Sequence, residues 1–330
     1  MCTSFKHRPA ADGSVVVGRT MEFPAGLPWQ LQVLPKGHTF SSMMPGGRSW
    51  TSTYGIVGFS AVVETAVMDG MNEAWVSGHG LYMTGFCHYA EPRHDGHDLC
   101  EGDVIPLLLG TCASIAELKA AAAGMNICGF DPGVGFVPPV HFVFHDKVSS
   151  CILEMRPEGL SIVDNPVGVA TNAPFLDWHL TNLRNYTGIT ASNPTTTIDG
   201  FALHPLGNGG GLRGLPGDYT PPGRFVRAVA QVSLATDVAD GPAAERSTLH
   251  ILNTFDINAG LIRETGPDGK PVSEVTEWST VSNLTGGRYA YRTINDPAVY
   301  VIDLATTDFS SARSKPMPDT LTGSFVPATL

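Results

Sequence analysis

The second residue of this chain is a cysteine, and the sequence runs from it straight into a strand-like segment, Met1-Cys2-Thr3-Ser4-Phe5. Removal of one methionine, which small second residues permit, would place a thiol and a free α-amine on the same residue. The amine has an ordinary pKa of roughly 7.7–8.0 and the thiol one near 8.5. At neutral pH each group is therefore close to the protonation state that proton transfer and attack require. Taken alone, Cys2 reads better as one of six scattered cysteines. The segments downstream alter that balance.

Composition narrows the function classes. The chain has 330 residues, 42% of them hydrophobic and 15% charged, which fits a folded chain with a large core rather than a disordered one. A formal net charge of −11 argues against a nucleic-acid footprint and against an anionic membrane surface. Lys6, His7, Arg8 and Asp12 fall where the apolar part of a signal peptide would lie, and no apolar run approaches the roughly 20 residues of a membrane span. Cys2, Cys87, Cys100, Cys112, Cys128 and Cys151 show no CxxC spacing and are too sparse for a disulfide framework. A reduced, cytoplasmic setting is the expectation.

The first hundred residues read as strands joined by Gly/Pro turns: Ser14–Phe23, Leu31–Leu34, Tyr54–Phe59 and Leu81–Phe86. Helices are expected after the acidic Glu101-Gly102-Asp103 and over Ala113–Ala123, closed by Gly124. A strand meander follows over Val140–His145, Ser150–Met155 and Leu160–Asn165, then a helix carrying Asp177–Leu183. From Thr187 to Pro222 the chain is rich in Gly, Pro, Thr and Asn, and reads as an excursion from the core rather than a linker. Helices over Phe225–Ala235 and Ala243–Phe255 precede strands at Thr276–Leu284, Ala290–Thr293 and Ala298–Leu304. The order suggests a layered α+β fold and one domain over 1–330.

Four segments, read together, resemble the choloylglycine hydrolase family, which includes bile salt hydrolases and penicillin V acylases and belongs to the N-terminal-nucleophile hydrolases. They are Met1-Cys2-Thr3 with Gly18-Arg19-Thr20-Met21-Glu22-Phe23; Asp69-Gly70-Met71-Asn72-Glu73 with Gly80-Leu81-Tyr82; Thr171 through Leu183; and Leu215-Pro216-Gly217-Asp218-Tyr219 with Gly223-Arg224-Phe225-Val226-Arg227. The resemblance implies a four-layer αββα sandwich in which Cys2 begins a central strand and its amine emerges at the edge of the sheets. It implies hydrolysis of a linear amide through a thioester, on a substrate of the penicillin V, conjugated bile acid or N-acyl amide type. No metal or organic cofactor is called for.

Roles follow from the same resemblance. Cys2 is the nucleophile with its own amine as base, and Arg19 stands beside the thiol, where a fixed positive charge favours the thiolate. Asn172 donates to the oxyanion, an interaction worth roughly 2.7–4 kcal/mol in comparable hydrolases. Arg224 is a second arginine of the site. Glu22 stands where the family has aspartate holding the α-amine; its extra methylene matters because a 1 Å displacement can cost about 10²-fold in rate. Counting from Gly80-Leu81 places the second, backbone oxyanion donor near Cys87, one register from His88. The Thr187–Pro222 excursion corresponds to an extension that grips a neighbouring subunit, which implies a homotetramer.

Two other readings stand beside this one. A catalytically silent binding or assembly member would have kept the fold and lost activity through Glu22. A zinc-dependent hydrolase would use His79, His88, His94 and His97 with Cys87 and Cys100, although their spacing fits no standard pattern. Asp177-Trp178-His179 is not a triad, because consecutive helix positions point in different directions.

Overall fold

Strands that are apolar at successive positions, rather than alternate ones, need cover on both faces. In Ile56–Ser60, Ile56 joins one cluster of buried side chains while Val57 and Phe59 join another. Val140–His145 and Ser150–Arg156 divide in the same way. Phe142, Phe144, Cys151 and Leu153 lie on one side, and Val143 and Ile152 on the other. Side chains alternate across a strand, so each such sheet is covered twice.

The computed structural model describes residues 1–24, 28–61, 63–133, 135–265 and 269–317. Among the described residues there are two large sheets, of seven and eight strands. The first runs Val169–Ala170, Cys2–Lys6, Val16–Pro24, Pro271–Asn283, Arg288–Thr293 and Tyr300–Asp303, with Ile262–Thr265 added to Pro271–Asn283. The second runs Gly159–Asp164, Ser150–Arg156, Val140–His145, Ser77–Tyr82, Val67–Asn72, Ile56–Ser60, Gln30–Leu34 and Arg313–Pro316. Neighbouring strands in both are antiparallel. Helices Val104–Thr111 and Ile115–Ala122 cover the outer face of the second sheet, and Pro221–Leu234 and Gly241–Leu252 cover the first. The order is helices, sheet, sheet, helices: the αββα sandwich.

Several boundaries move from those expected. The strand read at Leu81–Phe86 is Ser77–Tyr82. Its glycines hid it: a Cβ on Gly78 would lie 2.6 Å from the Phe144 ring, and one on Gly80 would lie 2.3 Å from Met68 Cε. Close packing requires Gly there although propensity disfavours it. Gly85, at φ +78, then turns the chain away. The helix expected from Phe225 begins at Pro221, where Thr220 caps it by accepting from the Gly223 N–H at 3.2 Å. A proline in the first turn is favourable because its missing N–H would have had no partner. Within the excursion, Thr196–Ile198 and Phe201–Leu203 pair as a small exposed hairpin.

Gly18, in Val16–Pro24, lies where the first sheet packs tightly against its helices. A Cβ there would lie 2.6 Å from Thr248 Cγ2 and 2.9 Å from Phe5 Cζ. Gly18→Val is therefore expected to cost about 1–3 kcal/mol through overpacking. The readout is a lower urea midpoint at unchanged m-value.

Candidate active site

Cys2 heads the strand Cys2–Lys6 and is fully buried, directly opposite Met21 in Val16–Pro24. Alternation puts Cys2, Met21 and Arg19 on the face between the sheets. Cys2 Sγ lies 3.6 Å from Met21 Sδ and 3.8 Å from Arg19 Nη2. The guanidinium also donates to Met21 Sδ at 3.2 Å, to the Gly80 carbonyl at 3.1 Å and to Asp69 Oδ2 at 3.1 Å. Its Cζ stands 5.2 Å from the centre of the Trp278 ring.

Asp69 is the residue that the sequence reading left without a role. It belongs to Val67–Asn72 of the second sheet, yet its carboxylate collects donors from three strands of the first. Arg19 donates from one; Trp278 Nε1 at 3.0 Å and Thr280 Oγ1 at 3.0 Å donate from another; Tyr289 OH donates at 2.9 Å from a third. Both members of the Arg19–Asp69 ion pair are 0% exposed. A buried carboxylate retains its charge only with such satisfaction. Asn72, from the same segment, is structural: it donates to the carbonyls of Leu109 and Cys112 at 2.7 and 2.8 Å, closing the helix Val104–Thr111.

On the other side of Cys2, the short strand Val169–Ala170 pairs with Ser4 and Phe5, and two more residues carry the chain to Asn172. The Cys2 N–H donates to Asn172 Oδ1 at 2.9 Å, and Asn172 Nδ2 donates to the Tyr82 carbonyl at 2.7 Å. Arg224, fully buried in the first turns of Pro221–Leu234, also donates to Asn172 Oδ1. Its remaining donors go to the Cys2 carbonyl, to Thr3 Oγ1 at 2.9 Å and to the Tyr219 carbonyl at 2.9 Å. These partners fix which end of the Asn172 amide faces the cysteine nitrogen, and one of its two N–H bonds stays uncommitted among the described residues.

Glu22 is fully buried one step beyond Met21. Its backbone pairs with Met1, donating to the Met1 carbonyl at 2.9 Å and accepting from the Met1 ammonium at 2.8 Å. Its carboxylate accepts from Thr276 Oγ1 at 3.3 Å, and Oε2 has no hydrogen-bond partner among the described residues. Burial pushes the Glu22 pKa up, against the opposing pull of Arg224 and the chain's N-terminus. The carboxylate that meets the Met1 ammonium is a different one, Glu274. Burial lowers the pKa of that ammonium, against the fields of Cys2 and Glu22. Nothing local marks Glu274 in the sequence, because it reaches the site from the strand beyond Val16–Pro24.

Cys2, Arg19, Asn172 and Arg224 thus come together, with Glu22 at their edge. Cys87 does not join them. Its N–H donates to the Met83 carbonyl at 3.1 Å and its thiol to the Val140 carbonyl at 3.5 Å, so the expected oxyanion N–H is already committed. The reason is the turn at Gly85, which folds the segment back after Tyr82. The histidines of the zinc reading are likewise dispersed. His79 is buried between the sheets, bonded to Ser4 Oγ at 2.9 Å, while His94 and His97 are exposed. Among the described residues no group of three or more His, Cys, Asp or Glu is placed to hold a metal ion. No helix of the described residues is long and apolar enough to cross a membrane.

The model for linear amide C–N hydrolases, choloylglycine hydrolase family, matches residues 2–318. A bile salt hydrolase/transferase of Lactiplantibacillus plantarum is 33% identical over 257 residues, covering 76% of this chain and 78% of its own. One from Clostridium perfringens is 28% identical and 92% of each chain is covered. The solved structure of a mutant conjugated bile acid hydrolase from Clostridium perfringens superposes with a TM-score of 0.87 at 25% identity, covering 100% of both chains. Penicillin V acylase from Agrobacterium tumefaciens shares the fold, with a TM-score of 0.76 at 22% identity over 95% of this chain and 90% of its own.

Two histidines brace the backbone at Asn172. His141 Nε2 meets the Thr171 carbonyl and His179 Nε2 the Asn172 carbonyl, each at 3.0 Å, and the His179 ring stacks on Phe225 at 4.5 Å. Burial lowers both from the ordinary 6.5 to about 4, against the weaker pull of those carbonyls. Between those values the unfolded chain takes up protons that the buried rings refuse. Their contribution to stability is whole above pH 6.5 and lost as pH falls towards 4. Glu101 and Glu277, raised by burial to about 7, act in the opposite direction, so the effect is read by difference. The urea-midpoint gap between the parent chain and His179→Gln is expected to narrow steadily as pH falls through that window. A constant gap would show that the ring is not buried in its neutral form.

Proposed function

This chain belongs to the choloylglycine hydrolase family of linear amide C–N hydrolases, and on that premise we propose that Cys2, freed by loss of Met1, is its nucleophile. The observation that carries the reading is the separate custody of the two reactive atoms of Cys2. Sγ is 3.8 Å from the Arg19 guanidinium, and N is 2.9 Å from Asn172 Oδ1. A nucleophile and its base on one residue need different surroundings, and the two sides of the strand supply them.

The α-amine takes the thiol proton and the thiolate attacks the amide carbonyl carbon, with Arg19 beside the sulfur. The uncommitted N–H of Asn172 donates to the oxyanion, a preorganised donor where charge develops. The resulting ammonium gives its proton to the leaving nitrogen, the C–N bond breaks, and a thioester on Cys2 remains. Water, deprotonated by the same amine, then attacks the thioester, releasing the acid and restoring the thiol. Every proton and electron pair in this sequence moves between substrate, water and the chain's own groups. Arg224 holds Asn172 and the Cys2 carbonyl in register, and Glu22 supplies negative charge behind the amine. Cys87, with burial pushing its thiol up to about 11, is a neutral side chain of the loop beyond Tyr82.

The substrate in this reading is an N-acyl amide of the penicillin V or conjugated bile acid type. Tyr82 and Phe23, with ring centres 5.5 Å apart, and Trp29 beyond Phe23 at 6.1 Å offer apolar surface for the acyl group. The reading further comprises a single domain, a reducing cytoplasmic setting to which six free thiols correspond, and a homotetramer.

Retained methionine converts the base into an amide nitrogen, which cannot accept a proton. A preparation with Met1 in place should show no amide turnover, while the Met1-free protein turns over a panel of N-acyl amides; intact mass beside activity reads this directly. Full activity with Met1 retained would refute the mechanism. For the assembly, Ile198 and Phe201 on the excursion hairpin are 59% and 69% exposed, apolar surface that a second subunit would bury. Light scattering should give a tetrameric mass for the intact chain and a smaller one after deletion of residues 190–212. A monomer at micromolar concentration ends that part of the reading.

A further inference from the structure

The strand that Cys2 begins ends at Lys6, beside a groove of about 590 Å³, a volume within the ordinary range of small-molecule sites. The groove is separate from the site described above, since Lys6 stands roughly 13 Å along the strand from Cys2. Its apolar walls come from three parts of the chain. Val148 lies in the turn before Ser150–Arg156, Val167 in the turn before Val169–Ala170, and Val229 and Val232 on the helix Pro221–Leu234. Val148, at 89% exposure, is apolar surface that a ligand would cover.

Backbone bonds form the floor. The Lys6 N–H donates to the Gly168 carbonyl at 2.8 Å, and the Asn165 N–H to the Ser150 carbonyl at 2.9 Å. Behind them Ser150 Oγ meets His145 Nδ1 at 2.7 Å, and His145 and His79 together hold Ser4 Oγ. A floor fixed in this way is ready before a ligand arrives, which lowers the ordering cost of binding.

The polar groups around the groove are matched, with one exception. Arg8 donates to the Ala235 carbonyl at 3.2 Å and pairs with Asp237 at 2.9 Å. Asp164 pairs with Lys119 at 2.8 Å. The ring nitrogens of His7 meet the Arg8 carbonyl at 2.7 Å and Ser247 Oγ at 2.9 Å. The Lys6 ammonium has no hydrogen-bond or ion-pair partner among the described residues. Asp146 acts on it only through its field, because the Asp146 oxygens accept from the N–H groups of Ile115, Val148 and Ser149 at 2.6–2.8 Å. Burial lowers the Lys6 pKa against that field, and an arriving carboxylate would oppose the same effect.

We propose that this groove is a second binding site, for an apolar monocarboxylic acid whose carboxylate pairs with Lys6 and whose hydrocarbon lies along the valines. The inference goes beyond the reading of Cys2 and does not rest on it, although the acid that an N-acyl amide would release belongs to this class.

Decanoate, 1-decanol and decylamine, each below its micelle concentration, share a chain and differ in the charge of the head. Acetylation of Lys6 by acetic anhydride, mapped by peptide mass against exposed Lys36, reports on the groove and not on the surroundings of Cys2. In the intact protein decanoate should protect Lys6, with its half-effect at a concentration at least about tenfold below that of 1-decanol, as a close charge pair implies. Decylamine should give no protection. Lys6→Met should weaken decanoate binding, measured by calorimetry, by about tenfold to the level of 1-decanol, and Lys6→Arg should restore it. Equal protection by decanoate and 1-decanol overturns the proposal in the parent protein alone, as does decanoate binding that leaves Lys6 fully reactive or is unchanged in Lys6→Met. Protection that appears only after deletion of residues 190–212 overturns it too, by assigning the groove to a neighbouring subunit.

Discussion

The ion pair between Arg19 and Asp69 is the contact on which the site depends. It joins the two sheets at their buried interface, and each partner would be costly there alone. An isolated charge in such a place would incur several kcal/mol of desolvation. Asp69 offsets that cost by accepting from Trp278, Thr280 and Tyr289 as well as from Arg19. The first sheet thereby grips one carboxylate of the second through three of its strands. Arg19 cannot adjust its guanidinium freely in that arrangement, and its Nη2 is left 3.8 Å from the Cys2 sulfur. The charge beside the Cys2 sulfur is held by the same bonds that hold the sheets in register.

A second set of bonds, independent of the first, holds the nitrogen of Cys2. Asn172 stands at the end of the shortest strand of the first sheet, braced by Arg224 from the helix layer and by His179 behind its carbonyl. The amide therefore presents a fixed acceptor to the amine. Sulfur and nitrogen of one residue are governed from opposite layers of the sandwich: the inter-sheet interface for one, the helix layer for the other. That division follows from the place of Cys2 at the start of a strand. A residue there has its amine at the strand end and its side chain turned into the space between the sheets.

Much of this was legible in the sequence where the signal is local and contiguous. The segments Thr171–Leu183 and Gly223–Arg227 were read through their resemblance to a family, and the apolar runs at Val140–His145 and Ser150–Met155 read as strands. What was not legible depends on partners far along the chain. Glu274 is an ordinary strand position until the N-terminus arrives beside it, and Asp69 acquires its role from residues more than two hundred positions away at Trp278, Thr280 and Tyr289. The strand Ser77–Tyr82 was obscured because Gly78 and Gly80 answer to Phe144 and Met68 rather than to strand propensity. Counting residues forward from Gly80-Leu81 to Cys87 likewise passes over the left-handed turn at Gly85, after which the Cys87 N–H bonds to the Met83 carbonyl.

The central claim is that the chemistry runs through Cys2 as the chain's first residue. Its most direct test is acid-quenched mass spectrometry of the protein during turnover of a phenoxyacetyl amide, followed by peptide mapping. The account predicts one acyl group, bound as a thioester to a Cys2 whose α-amine is free and from which Met1 is missing. Substrate consumption with the acyl group on another residue, or with Met1 still attached to the acylated chain, would contradict it.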